Sequence, residues 1–157
     1  MFTDLSGFSR NVAEFGIIHF LQVIQESQRL LIPVIEAHDG ILLKIEGDSF
    51  MVIFRKPERA LAAAREMMAV LEEYNVGRLQ EEAVLLCLGL GYGDMLRIGD
   101  ADVFGAEVNA ASKLGEDIAQ AREILVTDAF LEALEERPVA EELEKAPPGA
   151  NRAWRLV

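Results

Sequence analysis

The chain has 157 residues, the length of one domain, and can bury roughly 68–70% of the surface that its unfolded form exposes. Hydrophobic residues make up 51% of it and charged residues 27%, which is typical of soluble globular proteins and excludes a disordered or collagen-like chain. The net charge of -12 would repel phosphate backbones, and no cluster of Lys and Arg forms a nucleic-acid footprint, so no nucleic-acid partner is expected.

Cys87 is the only cysteine, which excludes an intrachain disulfide and a cage of thiolate metal ligands. The longest apolar stretches, such as residues 83–90, are far shorter than the ~20 residues of a membrane span. No basic region precedes an apolar run at the N-terminus. We therefore expect a cytoplasmic domain that makes no membrane contact of its own.

In chain order, residues 1–5 are typical of a strand, which Ser6-Gly7 breaks. Apolar residues at helical spacing follow, and they predict a two-part helix with a kink at Pro33 and an end at Asp39-Gly40. The helix buries one stripe, made of Ile17, Leu21, Ile24, Leu31 and Ile35. Residues 41–54 then predict a β-hairpin around Glu46-Gly47-Asp48, with an acid at its tip.

The rest of the chain alternates helices and strands. The predicted segments are a helix from Pro57 to about Tyr74, a loop over 75–80, a strand over 83–92, a turn over 99–102, a helix over 105–119, a strand over 124–126, a helix capped by Thr127-Asp128 that runs to about Glu135, and a strand over 152–157. This order predicts a single α+β domain over residues 1–157, with one sheet and its helices on one face.

Asp4 ends the first strand, directly before a flexible residue and a helix start. Backbone N–H groups at such a start, here at Gly7 and Phe8, can hold phosphate, and a carboxylate beside them can hold a hard cation. An isolated Asp in this place more often caps the helix.

Asp48 is a second acid, at the tip of a hairpin that can lie beside the first strand. Two carboxylates at neighbouring strand ends can hold two metal ions, one to activate an attacking hydroxyl and one to neutralise a leaving pyrophosphate. Taken alone, Glu46-Gly47-Asp48 is ordinary turn chemistry. The pairing of the two acids depends on the whole pattern.

Three ordered blocks carry that pattern, and together they resemble the catalytic domains of the class III nucleotidyl cyclases, which make cyclic AMP or cyclic GMP. The blocks are FTDLSGFS at residues 2–9, GILLKIEGDSFMVIF at 40–54 and DVFGAEVNAASKL at 102–114. Each block is weak alone, and the residues after 114 match only in the order of their elements. The resemblance implies a ferredoxin-like βαββαβ-type domain, with one mostly antiparallel sheet and helices packed on it.

The resemblance implies that Asp4 and Asp48 bind two Mg²⁺ or Mn²⁺ ions and that Lys44 and Asp102 contact the base. Residue chemistry supports the second pair independently, because adenine offers an acceptor at N1 and a donor at N6, which match an obligate donor and an obligate acceptor. Without the surrounding blocks, Lys44 would be interpreted as an exposed strand residue and Asp102 as a turn residue.

Asn109 and Lys113 are four residues apart, so they share one helix face. The resemblance implies that Asn109 orients the ribose and that Lys113 stands where relatives have an Arg that stabilises charge on the α-phosphate. A Lys keeps the charge but loses the planar fork that grips two oxygens, which predicts a slow enzyme.

Three further departures from the family pattern affect the phosphate contacts, the dimer contact and the start of the chain. The Lys that relatives carry before the last strand falls near Pro148, although a small shift would let Lys145 serve. The segment between Gly93 and Asp102 is shorter than the arm with which relatives reach across the dimer. The chain also begins where relatives have a few more apolar residues, so a truncated N-terminus is expected.

The sequence thus predicts a head-to-tail homodimer that converts ATP to cyclic AMP. One subunit supplies Asp4 and Asp48, and the other supplies the residues that contact base, ribose and α-phosphate. An alternative is a non-catalytic nucleotide-binding or dimerisation module, which the departures above favour. A third possibility is a cyclase for another nucleotide, against which the Lys44/Asp102 pair argues.

Overall fold

In the computed structural model, the backbone is described for all 157 residues and the side chains for residues 1–7 and 12–157. The α-helices are α1 (Phe8–Phe15), α2 (Ile17–Ala37), α3 (Pro57–Asn75), α4 (Ala106–Ser112) and α5 (Asp128–Ala133), with a 3₁₀ turn at Gln80–Glu82 and a π-helical turn at Lys113–Ile118 that continues α4. The strands are β1 (Phe2–Leu5), β2 (Ile41–Glu46), β3 (Ser49–Ile53), β4 (Leu86–Leu90), β5 (Leu96–Ile98), β6 (Asp102–Phe104), β7 (Ile124–Thr127), β8 (Ala140–Glu142) and β9 (Ala153–Leu156).

The main sheet has the strand order β2-β3-β1-β4-β7-β9-β8. Its pairs are antiparallel except that β4 and β7 run parallel. A second, two-stranded sheet joins β5 to β6. The α+β class and the mostly antiparallel sheet are therefore confirmed, and β1 lies near the centre of the sheet, between β3 and β4.

Helices pack on both faces of this sheet, so the prediction of one covered face is wrong. Strand β4 shows why, because its residues alternate between two environments. Leu88 and Leu90 belong to the main hydrophobic core with residues of α2, α3 and α5. Between them, Gly89 faces the π-helical turn, where a Cβ would lie 2.1 Å from the carbonyl oxygen of Ala111 and 2.3 Å from the nitrogen of Gly115. The missing side chain lets helical backbone lie directly on the strand.

The first helical region divides at Gly16, whose φ of 87° lies in the left-handed range that favours glycine. Helix α2 then continues through Pro33 to Ala37. The predicted buried stripe is only partly right, since Ile17 and Leu21 are exposed. The residues of α2 that are buried are Phe20, Val23, Ile24, Ser27, Leu31, Val34 and Ile35.

The hairpin of β2 and β3 is confirmed, with Glu46 paired to Ser49 and the residues Gly47-Asp48 at its turn. The cap of α5 is also confirmed, because the Thr127 hydroxyl accepts a hydrogen bond from the Phe130 N–H at 3.2 Å. The sequence analysis missed β5, β6 and β8. These three-residue strands are too short to show an alternating pattern.

Candidate functional site

Asp4 and Asp48 meet at one end of the sheet. Strand β1 runs antiparallel to β3 with Thr3 opposite Phe50, so Asp4 comes beside Ser49 and the hairpin turn. The Ser49 hydroxyl donates to Asp4 Oδ1 at 3.1 Å, and the Phe50 N–H donates to Thr3 Oγ1 at 3.0 Å. These two bonds fix the hairpin turn against the end of β1.

The surroundings of both carboxyl groups disfavour negative charge. Burial, with the charge of Asp48 as the next contribution, raises the pKa of Asp4 to about 6. Burial also raises the pKa of Asp48, although backbone N–H groups of Asp48 and Leu5 act in the opposite direction. Each of the two carboxyl groups therefore lies in a partly buried environment, close to the other acid.

These two carboxylates fit a divalent cation. Asp48 Oδ2 is buried and has no hydrogen-bond partner among the described residues, so one acceptor faces no donor. A cation would satisfy that oxygen and relieve the repulsion between the two acids, and carboxylate oxygens are the ligands that Mg²⁺ prefers. Within the part of the chain whose side chains are described, no third His, Cys, Asp or Glu joins them, so the remaining ligands would come from substrate and water.

The raised pKa of Asp4 predicts how stability depends on pH. Because the folded pKa of about 6 exceeds the ordinary 3.8, the folded state keeps a proton that the unfolded state releases. This contribution to stability is fully present below about pH 4 and is lost as the pH rises through 6. In chelator, Asp4→Asn should therefore gain stability over the wild type between pH 4.5 and 7.5. Urea unfolding of both proteins at several pH values measures this, and a constant difference across the range would contradict it.

Lys44 and Asp102 also come together, with Lys44 Nζ 3.6 Å from Asp102 Oδ1. Lys44 lies on β2, and Asp102 begins β6 of the small sheet that the sequence did not reveal. Lys44 makes a closer ion pair with Glu46, and the hydrogen bond that the Lys44 ammonium donates to Glu46 is the main cause that raises the pKa of that ammonium. The sequence analysis missed this role of Glu46, although residues two apart on a strand point to the same face.

Asn109 and Lys113 lie one helical turn apart, as predicted, because the Lys113 N–H donates to the carbonyl of Asn109. Both side chains are exposed, and each already has a partner. Asn109 Nδ2 donates to the carbonyl of Pro148 at 2.9 Å, and Lys113 Nζ lies 2.6 Å from Asp117 Oδ2. The loop that holds Pro148 thus reaches the predicted ribose contact, and Lys145 is exposed in the same loop.

The remaining predicted positions lie at the start of α1. Gly7 has a left-handed φ of 88° and precedes the helix, and no side chain caps the helix N-terminus. Phe8 lies outside the residues whose side chains the structure describes. Among the described residues, no hydrogen bond or ion pair joins the Asp4/Asp48 pair to Lys44, Asp102 or the helix that carries Asn109.

Glu107 is a half-buried acid that the sequence analysis did not single out. Its Oε2 accepts from the Thr127 hydroxyl at 2.6 Å and from the Tyr92 N–H at 3.2 Å, and burial raises its pKa. Gly91 and Gly93 approach it so closely that a Cβ on either would lie within 3 Å of its atoms. At Gly89 and Gly91 the close approach is to backbone atoms, since a Cβ there would lie 2.1 Å from the carbonyl oxygen of Ala111 and 2.6 Å from that of Glu107.

Solved structures of nucleotidyl cyclase domains share this fold. The adenylate/guanylate cyclase/hydrolase from Silicibacter pomeroyi superposes with a TM-score of 0.78 over 99% of this chain and 92% of that chain, at 24% sequence identity. The model of the adenylate and guanylate cyclase catalytic domain family matches residues 1–147. The chain therefore belongs to this family, the class III nucleotidyl cyclases.

Curated relatives are longer than this chain. It is 28% identical over 131 residues to "Serine/threonine-protein kinase pkn2" of Myxococcus xanthus, a match that covers 82% of this chain and 15% of that protein. It is 26% identical over 129 residues to "Putative adenylate cyclase 3" of Rhizobium meliloti, which covers 82% of this chain and 22% of the relative. The chain thus spans less than a quarter of either relative. None of the described helices is long and apolar enough to cross a membrane.

Proposed function

We propose that this domain converts ATP to cyclic AMP and pyrophosphate as a head-to-tail homodimer with two sites at its interface. The meeting of Asp4 and Asp48 carries the proposal, because it leaves a buried carboxylate oxygen of Asp48 with no hydrogen-bond partner among the described residues, beside a second acid of raised pKa. Family membership supports the reaction class, since the matching model describes adenylate and guanylate cyclases.

Asp4 and Asp48 would hold two Mg²⁺ or Mn²⁺ ions. Bound there, the ions would lower the pKa of the attacking 3′-hydroxyl and neutralise the leaving pyrophosphate. Asp4 is ionised above about pH 6 and then offers both oxygens, one of which already accepts from Ser49. The uncapped N-terminus of α1, with Gly7 and Phe8, would hold phosphate oxygens beside them through backbone N–H groups.

Lys44 and Asp102 would contact the adenine. Lys44 would donate to N1 and Asp102 would accept from the N6 amino group, and their separation of 3.6 Å places donor and acceptor side by side. Guanine presents the opposite order on the same edge. Glu46 would share Lys44 with the base, and because this ion pair is exposed to water it is weak and can yield to substrate.

Asn109 would orient the ribose, and Lys113 would balance charge on the α-phosphate as the 3′-oxygen attacks in line. The link from Asn109 to the Pro148 carbonyl holds the amide at the edge of the last loop, where Lys145 can reach the terminal phosphates. The ion pair of Lys113 with Asp117 is also exposed to water, so it is weak and can yield to substrate.

Among the residues whose side chains are described, no hydrogen bond or ion pair joins the two groups of the proposed site within one chain, and in a head-to-tail dimer each centre would take one group from each subunit. A C2 dimer places two copies of each group at one interface. Exposed apolar side chains on and beside the β5–β6 hairpin offer a surface for that contact. They are Met95, Leu96, Ile98 and Phe104.

The direct test incubates the purified domain with Mn²⁺ and each of the common nucleoside triphosphates, and separates the products by chromatography. Cyclic AMP from ATP, in excess over cyclic GMP from GTP, is the expected result. Cyclic GMP as the main product would contradict the adenine assignment. The absence of any cyclic product above the level of Asp48→Asn would contradict the enzyme.

A non-catalytic nucleotide-binding or dimerisation module is the second candidate. The pairing of Lys113 with Asp117 and the place of Pro148 at the proposed phosphate end favour it. The same assay separates the two, because a module of this kind would bind ATP without forming cyclic product.

Lys113→Arg is expected to raise turnover by several-fold up to about tenfold, since a guanidinium grips two phosphate oxygens where an ammonium provides a point charge. Lys113→Met, which removes the charge, should lower turnover by comparison with the wild type. Steady-state rates at saturating ATP measure both. Equal rates in all three proteins would show that Lys113 does not contact the transition state.

A further inference from the structure

A basic pocket lies at the opposite end of the β2–β3 hairpin from Asp48. It has a volume of about 520 Å³ and is bounded by the end of α2, the turn into β2 and the connection from β3 to α3. Its lining residues are His38, Asp39, Gly40, Ile41, Arg55, Lys56 and Arg59. Strand β2 has six residues at ~3.3 Å each, so this pocket lies roughly 15–20 Å from the Asp4/Asp48 pair.

The charge of this basic pocket is opposite to that of the chain. Three permanent cations and a histidine face a single acid there, in a protein whose net charge is -12. The sequence has no Lys/Arg cluster large enough for nucleic acid, and the four basic residues of this pocket do not form one either. Folding adds His38, from the end of α2, to the three cations around the start of α3.

The cations of this pocket are available to a ligand. Arg55 and Lys56 are exposed and form no ion pair with any residue whose side chain is described. Arg59 has one, a long contact of 3.8 Å from its Nε to Asp39 Oδ2. An exposed ion pair of this length contributes little to stability, so it would not prevent Arg59 from turning to an anion.

The start of helix α3 also favours an anion in this pocket, whereas the ring of His38 is already engaged, with its Nε2 2.7 Å from Glu66 Oε2. Helix α3 begins at Pro57 after Lys56, and no side chain caps its N-terminus, so its first free N–H groups and the positive end of a 19-residue helix point to the same region. Glu58 in the first turn is the opposing charge.

We propose that this basic pocket binds the phosphate or pyrophosphate group of a small soluble ligand, at a site separate from the proposed nucleotide site. Arg55 and Arg59 would hold oxygens through their guanidinium forks, and Lys56 would add a point charge. The pocket has room for more than a bare phosphate, so a phosphorylated metabolite fits better than the inorganic ion. The proposal does not depend on cyclase activity.

Titration calorimetry with inorganic phosphate and pyrophosphate, in chelator and at low salt, tests the proposal. We expect binding by the wild type and binding at least about tenfold weaker in the Arg55→Ala/Lys56→Ala double variant, which removes two charge-assisted contacts. Arg65→Ala is the control, because it removes an exposed arginine of helix α3 that lies outside the pocket. Lys113→Ala controls for the proposed nucleotide site.

Unchanged affinity in Arg65→Ala and Lys113→Ala, together with loss in the double variant, supports the pocket. Loss in Lys113→Ala with unchanged affinity in the double variant would overturn the proposal, because the anion would then occupy the nucleotide site. No heat of binding from the wild type would overturn it too. Binding only to vesicles that carry phosphatidic acid would equally overturn it, since the ligand would then be a membrane surface.

Discussion

Replacing Asp48 with Asn is expected to lower the formation of cyclic product by about 10²–10³-fold or more. The amide keeps the shape of the side chain but removes a charge that would hold the cations, and metal-ion catalysis is worth several kcal/mol at the transition state. The variant should fold normally, because it also removes one of two like charges that share a partly buried place. Initial rates with ATP and Mn²⁺ measure the loss, and circular dichroism checks the fold.

Asp39→Asn is the matched control for this experiment. It makes the same chemical change in an exposed aspartate at the other end of strand β2, at a left-handed position that Asn tolerates. The control should keep the activity of the wild type. Equal losses in both variants, or full activity in Asp48→Asn, would remove the two acids from the reaction.

Co-expression of Asp48→Asn with Asn109→Ala is expected to recover activity that neither variant has alone. In a head-to-tail dimer, a heterodimer of these variants contains one site with both substitutions and one intact site. Random pairing makes half of the dimers mixed, each with one good site, so recovery should reach about a quarter of wild-type activity. Rates of co-purified protein with two different affinity tags measure it.

Asp48→Asn with Asp4→Asn provides the control for complementation. Both substitutions affect the same group of residues, so every site of their heterodimer carries one defect and no recovery is expected. Recovery in neither mixture would show that each subunit builds its own site or that the chain works as a monomer. Recovery in both would contradict the assignment of the two acids to one group.

The β2–β3 hairpin and the strand before it could be predicted because their signals are local. A Gly-Asp turn between two apolar runs sets the hairpin, and the breaker Ser6-Gly7 ends β1 directly after Asp4. The antiparallel pairing of these strands then brings the acids together. The closeness of Lys44 and Asp102 could not be predicted from local signals, because it depends on the β5–β6 sheet, whose strands are too short to show an alternating pattern.

Contacts set by tertiary structure left less trace in the sequence. The packing of α4 and its π-helical turn on the second face depends on Gly89 of β4 and Gly115 of the turn, which lie against each other, and a glycine contributes nothing to a hydrophobic period. The ion pair of Lys113 with Asp117 was readable from its spacing of four residues, yet the bond from Asn109 to Pro148 spans 39 residues and required the fold. The basic pocket could not be predicted without the fold either, since His38 lies at the end of α2 and the three cations lie around the start of α3.

The backbone contact at Gly115 has a consequence for a dimer. A Cβ there would lie 2.8 Å from the carbonyl oxygen of Phe2. The π-helical turn that begins at Lys113 therefore packs directly on β1, the strand that carries Asp4. At this contact no side chain lies between the two elements, so a shift of one cannot be absorbed. In the proposed arrangement, those two elements of one subunit serve opposite catalytic centres. In that arrangement, a movement of β1 at one centre would reach the ribose and phosphate contacts of the other, so that nucleotide binding at the two centres would be coupled rather than independent.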